Sequence, residues 1–291
     1  MNTRILSQEF EYLEPKTIEE AIAHLATYGD KARVIAGGTD LIVRMKMEMS
    51  HPEYLVNIAR IPSLRYLIHE KGLRIGALTP FQELEKSALI RGKYVALFEA
   101  ARSVSCVQIK NMGTVGGNLC HGSPAADCAP PLLVFNAKAK LRGEGTERVI
   151  PLEHFHTGPG RTVLLPQELL IEVQLPQVAD GTGSAFLKVS RVAADLAKLN
   201  VAVALEREKD VCRDCRIALG SVAPKPFRTA EAEGILKGKK LAEDLIEKAS
   251  QRASEEIEPI TDIRSTLQYR REVSRVLVRD AIKLAWKRAA V

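Results

Sequence analysis

The chain has 291 residues, 46% hydrophobic and 27% charged, enough apolar mass for one large domain or two ordinary ones. Aromatics are only 5% and the net charge of +6 comes from interleaved basic and acidic residues, which argues against a nucleic-acid surface. No apolar run has transmembrane length, residues 1–9 lack the apolar core of a secretion signal, and the five cysteines (Cys106, Cys120, Cys128, Cys212 and Cys215) are too unevenly spaced for a disulfide framework. The expectation is a cytoplasmic protein without a membrane span.

In chain order, residues 10–13 read as a short strand. Thr17-Ile18-Glu19-Glu20 reads as a capping box. Ile18, Ala21, Ile22 and Leu25 then form one helical stripe, which Gly29 ends. Residues 34–36 read as a strand that runs into Gly37-Gly38. Strand-like stretches follow at 54–58 and 73–78. Thr79 suits an N-cap and Pro80 a first helical position. Residues 94–102 and 130–135 read as helices, and 138–142 with 147–151 as a hairpin around Gly143-Glu144-Gly145. Residues 169–175 alternate as a strand and end at Pro176. The polar, glycine-rich stretch 177–183 is the expected domain boundary. Beyond it, 184–190, 200–206 and 212–222 read as three strands, the last two antiparallel. Helices are expected at 229–236, 242–256 and 266–287. Strands followed by helices indicate an α+β domain.

Two double-glycine segments stand out. One is Ala36-Gly37-Gly38-Thr39-Asp40. The other is Thr114-Val115-Gly116-Gly117-Asn118, followed by Ser123-Pro124-Ala125-Ala126-Asp127. Adjacent glycines let backbone N–H groups converge on an anion, and Thr39 and Asn118 add polar side chains. Each segment is expected to be a loop after an apolar strand, and together they suit the phosphates of a long ligand. Neither a G-x-G-x-x-G nor a P-loop pattern competes with them. Asp127 suits either sugar hydroxyls or the N-cap of the helix at Pro130. His121 suits a ligand contact or an ordinary loop position. His154 and His156, two apart near a strand end, suit one shared face but have no evident third metal ligand. Cys212 and Cys215, three apart on a strand, are expected on opposite faces. No catalytic nucleophile with a base is readable, so the chemistry is sought in a cofactor.

The segments Ala36–Asp40 and Gln108–Asn118 resemble the FAD-binding medium subunit of the molybdenum hydroxylases, the xanthine dehydrogenase and carbon monoxide dehydrogenase family. Residues 158–160, 168–170, 219–226 and 269–271 extend the resemblance over nearly the whole chain. It implies a two-lobed FAD-binding domain of the vanillyl-alcohol oxidase (PCMH) type over 1–177, with lobes of about 1–56 and 57–177. A small α+β C-terminal domain over 178–291 follows, with a three-stranded antiparallel sheet plus helices. The resemblance assigns FAD contacts to Val34, Ile35, Ala36, Gly37, Gly38, Thr39, Asp40 and Leu41, to Val104, and to Thr114, Val115, Gly116, Gly117 and Asn118. It also assigns Asp127 to the polyol, Leu170 near the adenine, Lys188 on a strand passing the flavin and Leu196 over its ring. It implies no catalytic residue and no metal site on this chain.

Its further implications are a large molybdopterin subunit and a small subunit with 2Fe-2S clusters as partners, in a dimer of heterotrimers. Electrons would pass from those clusters through FAD to NAD(P) or another acceptor. The alternative reading is a standalone flavin oxidoreductase acting directly on a small molecule. A third is a nucleotide-binding module without redox activity.

Overall fold

The computed structural model describes Leu6 and residues 8–289. Residues 1–5 and 7, part of the segment read as lacking a secretion core, lie outside the described residues, as do 290 and 291.

Three parallel strands open the chain: β1 (Glu11–Leu13) and β2 (Ala32–Ile35) flank β3 (Tyr54–Asn57). Between β1 and β2 runs α1 (Ile18–Tyr28). The Thr17 side chain accepts from the Glu20 N–H, and Gly29, at φ 51°, ends the helix. The other half of the expected capping box is displaced by one residue, because Glu20 accepts from the N–H of Lys16 rather than of Thr17. Ile18, Ala21, Ile22 and Leu25 bury against Ala32, Val56 and Ile58, each large aliphatic side chain contributing roughly 2 kcal/mol. The first double-glycine segment joins β2 to α2 (Leu41–Lys46).

The next strands are β4 (Leu67–His69) and β5 (Gly72–Gly76). Six short helices follow: α3 (Phe81–Lys86), α4 (Ala88–Lys93), α5 (Val95–Ser103), α6 (Val107–Met112), α7 (Val115–Cys120) and α8 (Ala129–Val134). The hairpin β6 (Lys138–Gly143) and β7 (Thr146–Pro151), the small pair β8 (His156–Gly158) and β9 (Arg161–Thr162), and β10 (Leu169–Pro176) complete this part. Antiparallel pairing gives a sheet in the order β4-β5-β10-β6-β7. Thr79 is not the expected helix cap. Its hydroxyl donates to Tyr66 O, and extended Pro80 takes the cap position while bridging to Thr114.

The last part holds β11 (Thr182–Val189), β12 (Leu199–Glu208) and β13 (Val211–Gly220) as an antiparallel meander, with Lys209 at φ 54° in the β12–β13 turn. Two-residue strands β14 (Phe227–Arg228) and β15 (Lys239–Lys240) add to β13, so the sheet has five strands rather than three. Helices α9 (Ala230–Leu236), α10 (Glu243–Glu255) and α11 (Leu267–Arg288) cover one face. Strand β12 is buried on both faces. Leu199, Val201, Val203 and Leu205 face these helices, whereas Ala202 and Ala204 join the core that includes α5 and α8. Small side chains let the third sheet dock closely onto the preceding domain.

Cys212 and Cys215 depart from expectation. A bulge opposite Glu206–Arg207 inserts one residue into β13, so both thiols point into the core beneath α9–α11. Both are buried. No third His, Cys, Asp or Glu joins them to make a metal site among the described residues.

Candidate functional site

A cavity of about 810 Å3 lies where the turn after β2, the segment around α7 and residues 194–196 meet. That volume suits a large organic ligand. Residues 34–41 form one wall and Thr114, Gly116, Gly117 and Asn118 another. Val104, Asp127, Leu170 and Leu196 also line it. Two of the sequence candidates do not: Val115 is fully buried in the core, and Lys188 reaches Asp127 from behind the wall.

The two double-glycine segments differ in their physics. The first is a turn whose Gly37, Gly38, Thr39 and Asp40 N–H groups have no hydrogen-bond acceptor among the described residues. They are available to an anion at the start of α2, the arrangement that favours phosphate. The second is neither a loop nor preceded by a strand. It follows α6 and is itself the first turn of α7, capped by Thr114, whose side chain accepts from the Gly117 N–H. Its N–H groups are already used: Val115 donates to Thr79 O, Gly116 to Ala77 O and Asn118 to Thr114 O. Its glycines serve close packing instead. A Cβ on Gly116 would sit 2.7 Å from Ala77 O, and one on Gly37 would overlap Met112 O. Gly37 thus lets the first segment approach the backbone that leads into the second, and Gly116 seats α7 against Ala77.

Polar groups point into this space. The Asn118 side-chain oxygen is buried with no hydrogen-bond partner among the described residues, an orphan that a ligand donor would satisfy. His121 Nε2 lies 3.8 Å from Asp40 Oδ1, spanning the two segments. Arg44, near the end of α2, lines the cavity, and its guanidinium forms no ion pair among the described residues. Apolar Ile58, Leu78, Phe81, Leu164 and Leu169 line other parts of the cavity. His121, Arg44 and these apolar residues were not assigned to the site from the sequence, apart from the open reading of His121. Arg44 carried a readable signal, a cation one helical turn beyond the glycine segment.

Asp127 is not a helix cap, since Cys128 holds that position of α8. Its carboxylate is 7% exposed and accepts from Lys188 Nζ at 2.7 Å and from Asn200 Nδ2 at 2.9 Å. Burial pushes its carboxyl up, while the Lys188 charge and the Lys188 and Asn200 hydrogen bonds oppose that rise. Cys120 also lines the cavity, but burial pushes its thiol up to about 12, so it is no thiolate nucleophile near neutral pH. His154 and His156 do not share a face. His154 is exposed beside Glu153, whereas His156 is buried and donates from Nε2 to Leu119 O at 2.9 Å.

The donor set fits a dinucleotide flavin: free backbone donors and Arg44 for a diphosphate, a buried carboxylate for hydroxyls, and apolar walls for flat rings. When bound, FAD supplies reversible electron acceptance. The protein's own residues bind and orient it, and among the described residues no nucleophile–base pair is hydrogen-bonded at the cavity.

Comparison with known proteins agrees. The family described as the FAD binding domain in molybdopterin dehydrogenase matches residues 8–178, and the CO dehydrogenase flavoprotein C-terminal domain matches residues 184–285. The chain is 33% identical to the carbon monoxide dehydrogenase medium chain of Hydrogenophaga pseudoflava, over 98% of this chain and 100% of that one. It is 34% identical to the glyceraldehyde dehydrogenase medium chain of Sulfolobus acidocaldarius, over 94% and 98%. A solved carbon monoxide dehydrogenase structure from Hydrogenophaga pseudoflava superposes with a TM-score of 0.96 at 33% identity, over 98% of this chain and 100% of that one. The free donors, the orphaned Asn118 and these full-length likenesses converge: the chain belongs to the FAD-binding medium subunits of the molybdenum hydroxylase family.

Proposed function

We propose that this chain is the electron-transfer subunit of a molybdenum hydroxylase. It takes electrons from 2Fe-2S clusters of a small partner subunit and passes them, through FAD, to NAD(P) or another acceptor. A large partner holding molybdopterin oxidises the substrate, and the assembly is a dimer of heterotrimers working in the cytoplasm. One observation carries the reading. Segments about eighty residues apart meet at one cavity that offers anion donors and an orphaned amide. A relay needs a cofactor held firmly and no reactive side chain beside it. Five free cysteines accord with a reducing compartment.

The two relatives above are named for different substrates, carbon monoxide and glyceraldehyde, at nearly equal identity. This supports a substrate set by the large partner rather than by this chain. We propose the boundary between the FAD-binding domain and the C-terminal domain at 177–183, between the end of β10 and the start of β11.

Purification from the native host with its co-purifying chains tests the reading. Molybdenum, iron and flavin in one complex are the expected result. A lone, metal-free flavoprotein that turns over a small molecule would overturn it in favour of a standalone oxidoreductase.

A further inference from the structure

We propose that Lys188 and Asn200, both from the C-terminal domain, are positioning residues that hold Asp127 against the flavin cavity. The inference rests on the FAD reading and extends it across the domain seam.

Asp127 lies just ahead of α8 in the FAD-binding domain, yet both of its side-chain partners come from β11 and β12, 61 and 73 residues away. The pairing is built into the strand register. Lys188 and Asn200 are direct partners across β11 and β12. By alternation they share the face of Phe186, Ala202 and Ala204, the face that docks on α5 and α8. An apolar row is thus interrupted, next to the cavity, by an amide and a cation.

Their surroundings fix them further. Lys188 Nζ also donates to Ser103 O, at 3.3 Å, at the end of α5. Gly220 of β13 pairs with Asn200, and a Cβ there would overlap Asn200 Oδ1. That oxygen is buried without a partner among the described residues. An amide with one orphaned end costs free energy in a buried face, and its other end is spent on Asp127. The Ser221 N–H, donating to Pro124 O at 2.7 Å, clamps the backbone of the same segment.

Among the described residues Lys188 is the one charged group that acts on the Asp127 carboxylate, and the neutral thiol of Cys128, the cap of α8, is its titratable neighbour. Neither α5 nor β12 nor β13 brings another charge to it; they contribute Ser103 O, the Asn200 amide and Gly220. Without Lys188, only the Asn200 hydrogen bond still opposes burial, and the carboxyl is pushed further toward its protonated form. A protonated Asp127 no longer offers two acceptor oxygens to hydroxyl donors.

The test strips FAD from the full-length protein, in whatever assembly it purifies, and measures rebinding by flavin fluorescence across about pH 5 to 8, alongside circular dichroism of the stripped protein. Lys188→Met is expected to weaken FAD binding about tenfold or more near neutrality and to regain affinity as pH rises. The wild type is expected to show a weaker pH dependence than Lys188→Met, and the Asp127→Asn, Lys188→Met double variant none. Asn200→Ala is expected to weaken binding to a similar degree with a smaller pH dependence than Lys188→Met, because the ion pair remains. If Lys188→Met does not fold, Asn200→Ala decides. Wild-type affinity and profile in the folded variants would overturn the positioning role. Failure of the wild type itself to bind FAD would instead overturn the reading of the cavity.

Discussion

At the scale of single residues, two glycines matter for what they exclude. Gly37→Val drives a branched side chain into Met112 O, a backbone atom that has no rotamer to adopt. The turn must open, and its free N–H groups leave register with the cavity. Purified Gly37→Val is expected to retain about a tenth or less of the wild-type flavin, read from its absorbance per chain; full occupancy would show that the turn does not hold the ligand. Thr114→Ala removes one N-cap bond to Gly117. It is expected to cost about 1 kcal/mol, seen as a lowered melting temperature. The turn of the first segment was legible in sequence because an apolar strand runs directly into two adjacent glycines. The second segment was misread as a loop. Glycine is a poor helix former, and only the Thr114 cap and the approach to Ala77, both tertiary facts, impose the helix.

At the scale of elements, the central sheet carries a buried carboxylate with a pH consequence. Glu172 on β10 is 1% exposed and accepts from Tyr66 OH at 2.6 Å, Arg74 Nε at 2.7 Å and Gln174 Nε2 at 2.6 Å. Burial alone would raise its carboxyl, but the Tyr66, Gln174 and Arg74 hydrogen bonds and the Arg74 charge together hold it below the usual value of 4.5. A depressed folded-state value means the stabilisation is complete above about 4.5 and fades as pH falls through the lower folded value. Glu172→Gln is expected to lower stability by about 1–3 kcal/mol at neutral pH and to flatten the acid limb of a thermal-melt series; an unchanged limb would contradict this. His156 acts in the same direction at higher pH. Burial lowers its value from 6.5, so the unfolded chain takes up a proton that the folded chain refuses. Stability is therefore expected to fall as pH drops below about 6.5, and His156→Gln should reduce that slope. Helices with a full apolar stripe, such as α1, could be read from spacing alone. The β13 bulge could not: it is set by register against β12, so the shared face of Cys212 and Cys215 has no local signal.

At the scale of the whole molecule, one sheet joins two cores. The large side chains of β12 close the C-terminal domain and its small ones seat that domain on the FAD-binding part. Ala202→Leu is expected to overpack the seam, costing about 1–3 kcal/mol and loosening flavin through the Lys188 and Asn200 contacts. The alternation of β12 was present in the sequence, but which face met which domain was not, because the contact joins residues far apart in the chain. The same long-range character hid Asn200 from the sequence reading. The family resemblance supplied the two-domain architecture and the ligand, while composition alone left both open. The most direct measurement of the central claim is the flavin and metal content of the chain as it purifies from its native host. We expect about one FAD per chain, released on denaturation, in a complex that also holds molybdenum and iron. A colourless protein without flavin, under conditions in which it is folded, would contradict the account.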